Sequence, residues 1–202
     1  MKETPIFEEI VMRMIRQPGF WRKLLIGGLL SFVPIINIFA FGYLFRFSRR
    51  VRRTGQMVLP EWEDWKGLFM DGLKFAVAWL GYWLLPVLLA CGLAGGLVFV
   101  GMGGLSYVIC SFVLVAASVL FCSALYRLQM RANFKDLLDV PLIFRMTWGE
   151  LPRFILPGLV FLGIFTLLRP LYGFAFFLGF LILIGFSHSC FHRIEQRQAA
   201  SL

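Results

Sequence analysis

The sequence predicts an all-α polytopic membrane protein with about four transmembrane helices and an N-terminal re-entrant or Pro-kinked hydrophobic segment. Hydrophobic residues make up 59% of the chain, whereas soluble domains contain about 45–50%. The excess lies in long uncharged runs, which is the pattern of membrane spans. Most of the basic residues that give the net charge of +9 lie close to the ends of those runs, where they orient the protein and contact anionic lipid.

Because Pro, Gly and Ser never gather into a linker, the composition predicts a single membrane domain over residues 1–202. No basic patch lies in a soluble domain, so nucleic-acid binding is not expected. The first apolar run starts late and lacks a small-x-small cleavage site, unlike a signal peptide. The cysteines lie in apolar stretches without CxxC spacing, which predicts small buried side chains rather than disulfides or zinc ligands. They are Cys91, Cys110, Cys122 and Cys190.

Residues 1–23 are predicted to form an amphipathic interfacial helix. Apolar side chains recur at helical spacing, and charged side chains fill much of the other face. Such a helix either lies on the membrane surface or packs against the protein's own cytoplasmic face, and both alternatives stay open. The apolar residues are Ile6, Phe7, Ile10, Val11, Met14 and Ile15.

Residues 24–45 form an uncharged run that is long enough to cross about 30 Å of hydrocarbon once. Pro34 and Asn37 lie at its middle and predict a helix break or a polar path, because proline removes a helix donor and asparagine is costly in lipid. The run is either one kinked span or a re-entrant hairpin with its tip near these two residues. Basic residues precede and follow it, which favours the hairpin slightly, since a hairpin keeps both groups on the cytoplasmic side.

Residues 46–74 are predicted to form an interfacial segment that is first basic and then acidic. Arg46, Arg49, Arg50 and Arg53 fall on one helical face. Juxtamembrane arginines in this pattern are typical of sites for anionic lipid head groups. A specific phosphate-bearing ligand and pairing with the acidic residues that follow are the two alternatives.

Tryptophans are predicted to anchor the protein at the head-group level. Trp62 and Trp65 belong to a helix predicted over residues 60–74, with its proline in the first turn. Trp148 belongs to a second interfacial segment, predicted over residues 133–153.

Transmembrane helices are predicted in two pairs. Residues 75–126 carry no Asp, Glu, Lys or Arg and are too many for one span, so the glycines that begin at Gly101 must form a turn. The second pair flanks Arg169, which is predicted at an outer turn because charge is costly at mid-membrane; a second membrane-dipping hairpin is the alternative. The basic tail after His188 is expected to be cytoplasmic. The predicted spans are residues 75–100, 105–126, 154–168 and 171–190.

Little in the sequence predicts chemistry. His188 and His192 share a helix face, but they are weak metal or pigment candidates because a third ligand is missing. The predicted spans contain no Asp or Glu, which argues against ion-coupled transport. A path for a neutral solute remains as an alternative. For the serines within the spans, however, helix packing is the favoured role. No hydrolase, P-loop or Rossmann motif occurs, so neither an enzyme nor a cofactor is expected. A path would use Ser111, Ser118, Ser123 or Asn37.

Glycines, aromatic residues and acidic residues follow one another in a distinctive order between residues 27 and 74. They are Gly27, Gly28, Pro34, Asn37, Gly42, Tyr43, the arginine run, Leu59, Pro60, Trp62, Asp64, Trp65, Asp71 and Gly72. In this stretch the chain resembles DUF4013, a domain-of-unknown-function family of uncharacterised prokaryotic multi-pass membrane proteins. The resemblance implies a prokaryotic membrane and a shared fold, and it assigns no catalytic residue. It also suggests that the hairpin and the Trp-containing acidic segment form one unit.

These patterns together predict a non-enzymatic accessory, organising or membrane-shaping subunit. The alternative is a small channel or transporter for a neutral or anionic solute. The expected location is the prokaryotic cytoplasmic (inner) membrane, with the C-terminus on the cytoplasmic side. The expected partners are anionic lipids and either another membrane protein or further copies of the chain.

Overall fold

A computed structural model of the protein describes residues 7–131 and 134–200. The described part of the chain is almost entirely helical and contains no strand, which confirms the all-α prediction. Among the described residues, three helical stretches are long and apolar enough to cross a membrane: Trp65–Phe99, Gly103–Met130 and Arg169–Arg193. A fourth span results if Val140–Gly149 and Pro152–Leu167, which are bent by 65° relative to each other, cross together.

Contacts group the chain into two compact units. Unit 1 comprises the described residues of Met1–Ala76 and Gly163–Leu202, and unit 2 is Val77–Leu162. The segment that resembles the family from residue 27 to residue 74 therefore lies within unit 1, together with the C-terminal helix.

The core of unit 1 is the C-terminal helix α9 (Tyr172–Ala200). In its most apolar stretch 83% of the residues are buried inside the protein, against 17% for Trp65–Phe99. Phe177, Phe180 and Ile184 are completely or almost completely buried. Although α9 is as apolar as a lipid-facing span, most of its surface contacts other helices of unit 1.

Helix α2 (Phe20–Phe32) runs antiparallel to α9. Gly27 lies against the ring of Phe177. Further along α2, the carbonyl of Phe32 accepts a 2.8 Å hydrogen bond from the hydroxyl of Tyr172, near the beginning of α9. As the residue number rises along α2 it falls along α9, which fixes the antiparallel direction.

Helix α3 (Asn37–Thr54) runs parallel to α9. The rings of Phe41 and Phe176 are 5.5 Å apart, and Phe47 packs near Gly185 further along both helices. Since α2 is antiparallel and α3 parallel to the same helix, α2 and α3 form a helical hairpin. The turn between them falls at the predicted break, and Ile35 has a positive φ of 74° there.

The N-terminal amphipathic helix ends earlier than predicted, at Ile15, and packs against α9. Helix α1 (Phe7–Ile15) buries Met14, and its Phe7 ring lies 5.7 Å from that of Phe186. Gly19, with a φ of 75°, separates α1 from α2. These contacts favour the second alternative for this segment, a helix packed on its own protein; residues 1–6 lie outside the described residues.

Helix α4 (Trp65–Trp79) begins later than predicted. Residues 56–61 are not helical, so the helix predicted from Pro60 is wrong at its start. The carboxylate of Asp64 accepts a 3.1 Å hydrogen bond from the backbone N–H of Gly67 and thereby satisfies a free donor of the first turn. Through a π-helical turn at Leu80–Leu84, α4 continues into α5 (Leu85–Phe99).

Helices α3 and α4 touch where each carries a glycine. A Cβ on Gly42 would overlap the backbone carbonyl of Leu68, and a Cβ on Gly72 would overlap the carbonyl of Ile38. Only glycine lets two helix backbones approach this closely. The two glycines therefore fix the crossing point of α3 and α4.

Unit 2 contains α5, α6 (Gly103–Arg131), α7 (Val140–Glu150) and most of α8 (Ile155–Leu167). The turn between α5 and α6 is where the glycines predicted it, with a φ of 83° at Gly101. Hydroxyls join the helices: the indole of Trp83 donates to Ser118 (2.9 Å), and Thr147 donates to Ser123 (3.0 Å). Many apolar side chains of α5 and α6 are exposed, as expected of surfaces solvated by lipid.

Candidate functional site

The main concentration of charge that the structure describes is a groove in unit 1. It lies between the basic face of α3, the loop that follows α3 and the first turns of α4. Four arginines and four carboxylates line it, so the predicted lipid site contains as many acids as arginines. The charged lining residues are Arg46, Arg49, Arg50, Arg53, Glu61, Glu63, Asp64 and Asp71.

Asp71 is the buried centre of this groove. Its side chain is 11% exposed and accepts hydrogen bonds from Arg46 Nε at 3.2 Å and Arg49 Nη2 at 3.0 Å. Lys74 adds a longer contact of 3.7 Å to the same carboxylate. Burying a charged group is costly unless it is paired, and here the partners come mainly from α3, so the ion pairs connect α3 with α4.

Arg46 also holds the loop in front of α4. Its guanidinium donates to the backbone carbonyl of Glu63 at 3.0 Å and to the carboxylate of Asp64 at 2.7 Å. The N–H of Gly67 and, next, the Arg46 guanidinium hold the pKa of Asp64 below its usual value. Arg46 therefore positions the loop. For this residue the structure agrees with the predicted alternative, in which the arginines pair with the acidic residues that follow them.

Arg50 and Arg53 differ from the other two arginines. Both are exposed, and neither forms an ion pair within the described part of the chain. Arg49 is intermediate, since it pairs with Asp71 and also lies 4.8 Å above the ring of Phe45. The prediction of head-group binding at all four arginines remains a prediction, and the structure leaves Arg50 and Arg53 best placed for it.

Lys23 is a buried residue of this region that sequence reasoning missed. It is 8% exposed, and its ammonium group donates to the carbonyl of Leu59 at 3.2 Å and to the carboxylate of Glu61 at 2.5 Å. Nothing local in the sequence signals this contact, because α2 and the loop are joined only through the whole of α3. Its position at the start of an apolar run suggested only a topological role.

Gln17 also forms hydrogen bonds with the loop between α3 and α4. Its side-chain amide donates to the carbonyl of Met57, and its side-chain oxygen accepts from the N–H of Leu59 at 2.8 Å. One side chain thus satisfies two backbone groups of a segment that has no regular structure of its own.

The predicted tryptophan anchors occupy different environments. Trp62 stacks on Tyr43 with ring centroids 4.3 Å apart, inside unit 1. The Trp62 indole nitrogen and the Tyr43 hydroxyl are both buried and have no hydrogen-bond partner in the described structure. Trp65 and Trp148 are 48% and 68% exposed, so these two retain the exposure that an interfacial anchor needs.

The remaining predicted positions do not form a chemical site. Pro34 is exposed, and Asn37 is half-buried at the start of α3. Ser118 and Ser123 take part in the helix packing of unit 2, and Ser111 lines an apolar groove there.

The two histidines lie in unlike surroundings. His188 is fully buried, with its Nδ1 3.2 Å from the Ser187 hydroxyl. The Nε2 of His192 is 2.9 Å from the side-chain amide of Gln196. No group of three His, Cys, Asp or Glu side chains that could hold a metal occurs in residues 7–131 and 134–200.

A family model described as a protein of unknown function, DUF4013, matches residues 26–184. That match covers more than half of the chain. The chain belongs to the DUF4013 family. The match extends well beyond the stretch in which the resemblance was visible, through unit 2 and into α9. Curated proteins and solved structures yield no match to the chain.

The residues that carry the family resemblance meet in unit 1. Gly27 and Gly28 lie against rings of α9, and Gly42 and Gly72 form the contact between α3 and α4. Asp71 forms the ion pairs next to that contact. The suggested association of hairpin and acidic segment therefore has a physical basis in close helix approach and ion pairing.

Proposed function

We propose that this DUF4013 protein is a non-enzymatic protein of the prokaryotic cytoplasmic membrane that organises or shapes the bilayer through its α2–α3 hairpin. The observation that carries the proposal is the antiparallel pairing of two helices around an apolar turn. Helix α2 has 13 residues and is about 20 Å long, less than the ~30 Å of a hydrocarbon core. Because the two helices are antiparallel, the chain enters the bilayer and returns to the same face.

The outer surface of α2 suits an acyl-chain environment. Trp21, Leu25 and Leu29 repeat every fourth residue and are 69%, 54% and 54% exposed. At the turn, Ile35 is 78% exposed. An apolar stripe of this kind is costly in water and is stabilised between lipid tails.

The open end of the hairpin carries the charges that would remain at the head groups. Arg22 lies in the first turn of α2, and Arg50 and Arg53 lie near the end of α3. Attraction to anionic lipid is worth about 1 kcal/mol per such residue. Basic residues at both ends of the hairpin support a re-entrant orientation with the open end, and the C-terminus, in the cytoplasm.

The organising role draws support from how the groove uses its charges. Asp71, Arg46 and Lys23 hold α2, α3, the loop and α4 in fixed positions. The exposed apolar faces offer surfaces for another membrane protein or a second copy of the chain. Purification in lipid nanodiscs followed by mass spectrometry tests this part: a stoichiometric partner or a homo-oligomer is expected, and a monomer with lipid alone would leave only the membrane-shaping role.

Cysteine labelling in cells tests the topology of the hairpin. The four native cysteines are first replaced by alanine, and single cysteines are then introduced at Ile35 in the turn and at Gln56 after α3. We expect a membrane-impermeant maleimide to label neither site from outside, and to label Gln56→Cys in inverted vesicles. Labelling of Ile35→Cys from outside would show that the turn crosses the membrane and would refute the re-entrant hairpin.

Vesicle morphology tests the shaping activity. Wild-type protein reconstituted with anionic lipid is expected to reduce vesicle diameter, and the double substitution Leu25→Ser with Leu29→Ser should abolish that effect. Leu89→Ser with Leu93→Ser, which changes a pair on α5 that is even more exposed, is the matched control and should retain it. Equal loss in both variants, or unchanged diameters with wild type, would contradict a specific role for the hairpin.

A further inference from the structure

A small polar cavity lies in unit 1, apart from the groove of ion pairs. Its volume is about 250 Å³, and its walls come from α1, the end of α3 and the last turns of α9. Glu9 and Arg13 contribute from α1, and Ser189 and Arg193 from α9. No membrane-shaping role requires a polar cavity at this place.

Ser189 supplies an independent sign of a ligand. The residue is 7% exposed, and its hydroxyl oxygen is buried without a hydrogen-bond partner in the described structure. Serines inside helices usually bond to a carbonyl of the preceding turn. Ser187 on the same helix does so, donating to the carbonyl of Ile184 at 3.1 Å. Ser189 is one of the residues that line the cavity, and a buried hydroxyl without any partner is rare in folded proteins.

The charges around the cavity indicate an anion. Arg13 is paired with Glu9 at 2.6 Å, which neutralises both. Arg193 is exposed at the cavity and has no ion pair in the described chain. The residues that line the cavity therefore carry one net positive charge and one hydroxyl, that of Ser189, without a hydrogen-bond partner in the described structure.

Gly55 shapes the wall opposite α9. Its φ of 65° ends α3, and a Cβ at this position would lie 3.0 Å from the ring of His192. The side chain of Gln196 holds that ring at 2.9 Å. The cavity therefore has a defined wall next to its two donors.

We propose that this cavity binds a small phosphate ester, with Arg193 and Ser189 donating to the phosphate oxygens. Guanidinium and hydroxyl groups are strong donors to phosphate, and about 250 Å³ accommodates a phosphate with a short polyol. The phosphate belongs either to a free metabolite or to the head group of a lipid. The site does not depend on how the hairpin enters the bilayer.

The test uses the full chain in nanodiscs of phosphatidylcholine. The thermal unfolding midpoint is followed while sn-glycerol 3-phosphate is added, with neutral glycerol as the ligand control. In a second arm, phosphatidylglycerol replaces part of the phosphatidylcholine. Stabilisation by the free ester assigns a soluble ligand, and stabilisation by the anionic lipid alone assigns a head group.

Two variants and two matched controls decide whether the response comes from this cavity. Arg193→Gln is expected to weaken binding about tenfold or more, and Ser189→Ala several-fold, in line with loss of charge-assisted bonds. Arg145→Gln, at an exposed arginine of unit 2, and Ser31→Ala, whose hydroxyl is already bonded to the Gly27 carbonyl at 2.7 Å, should bind as wild type. The proposal fails if neither ligand stabilises the protein, if glycerol acts equally well, or if all four variants respond alike.

Discussion

Gly42 on α3 lies directly against the backbone carbonyl of Leu68 on α4, with no room for a side chain between them. This contact, repeated by Gly72 against Ile38, brings the two helices close enough for Arg46 to reach Asp71. The ion pairs of the groove therefore depend on a contact between backbones. Any residue larger than glycine must separate the helices or distort them.

Substitution of Gly42 by alanine is expected to destabilise unit 1. Overpacking at a backbone contact costs typically about 1–3 kcal/mol, and the thermal unfolding midpoint in nanodiscs should fall by several degrees. Gly92→Ala on α5, where nothing lies within 4 Å of the new methyl group, is the matched control and should unfold no earlier than wild type, since alanine favours the helix more than glycine does. Equal midpoints for Gly42→Ala and wild type would mean that the helices do not approach this closely.

Asp71→Asn is expected to cost about 3 kcal/mol. Removing one partner of a buried ion pair leaves the other charges uncompensated and typically costs about 3–5 kcal/mol, and the partial exposure of Arg46 (21%) and Arg49 (34%) places this site at the low end. The comparison is Glu9→Gln, which breaks a surface pair with Arg13 and should cost no more than about 0.5 kcal/mol. Chemical denaturation measures the loss of unfolding free energy in each variant. Similar losses for Asp71→Asn and Glu9→Gln would show that Asp71 is not buried.

The interactions of the Asp64 carboxylate predict that the stability of the protein depends on pH. Because the N–H of Gly67 and the Arg46 guanidinium lower its pKa, the ionised carboxylate stabilises the start of α4 above the pKa of an unfolded aspartate, about 4. This stabilisation is lost as the pH falls through the lower pKa of the folded state. The midpoint difference between wild type and Asp64→Asn should therefore be present at pH 7 and vanish in strong acid.

Glu63→Gln is the control for that titration. Glu63 is the exposed neighbour of Asp64, and its backbone carbonyl is the group that accepts from Arg46. Its substitution should leave the acid profile unchanged. A profile in which Asp64→Asn differs from wild type equally at all pH values would show that the carboxylate charge is not the stabilising feature.

Local signals in the sequence predicted much of the helical framework. The turn between α2 and α3 falls at Pro34, and the turn between α5 and α6 falls at Gly101, because proline and glycine act on their own backbone. The burial of α9 was not predictable, since side chains that face lipid and side chains that face protein are equally apolar. Periodicity alone could not separate the two environments.

The candidate site was predictable only in its composition. The arginine face of α3 is visible from helical spacing, but Arg46 and Arg50 look alike in sequence, although one is paired with two carboxylates and the other is exposed. Lys23 and Glu61 meet through tertiary structure, and no spacing rule connects them. The position of α4 determines which arginines form ion pairs and which remain free to bind lipid. That position depends on Gly42 and Gly72.

That distinction leads to a prediction about lipid binding. Arg50→Gln with Arg53→Gln should leave the fold intact, because neither arginine forms an ion pair in the described structure, yet it should weaken retention of phosphatidylglycerol. At about 1 kcal/mol per charge near the surface, the double change is expected to lower affinity by roughly 30-fold. Native mass spectrometry of the protein released from mixed-lipid nanodiscs measures the number of retained lipids.

Arg46→Gln provides the contrasting variant in that experiment. It removes the partner of Asp64 and Asp71, so it should lower the unfolding midpoint far more than the double variant does. At a temperature where Arg46→Gln remains folded, its lipid retention should be closer to that of wild type. A contrary result would be that Arg46→Gln loses lipid as strongly as Arg50→Gln with Arg53→Gln while keeping its stability. The arginines would then act as one head-group site, and the division into ion-paired and lipid-binding arginines would be wrong.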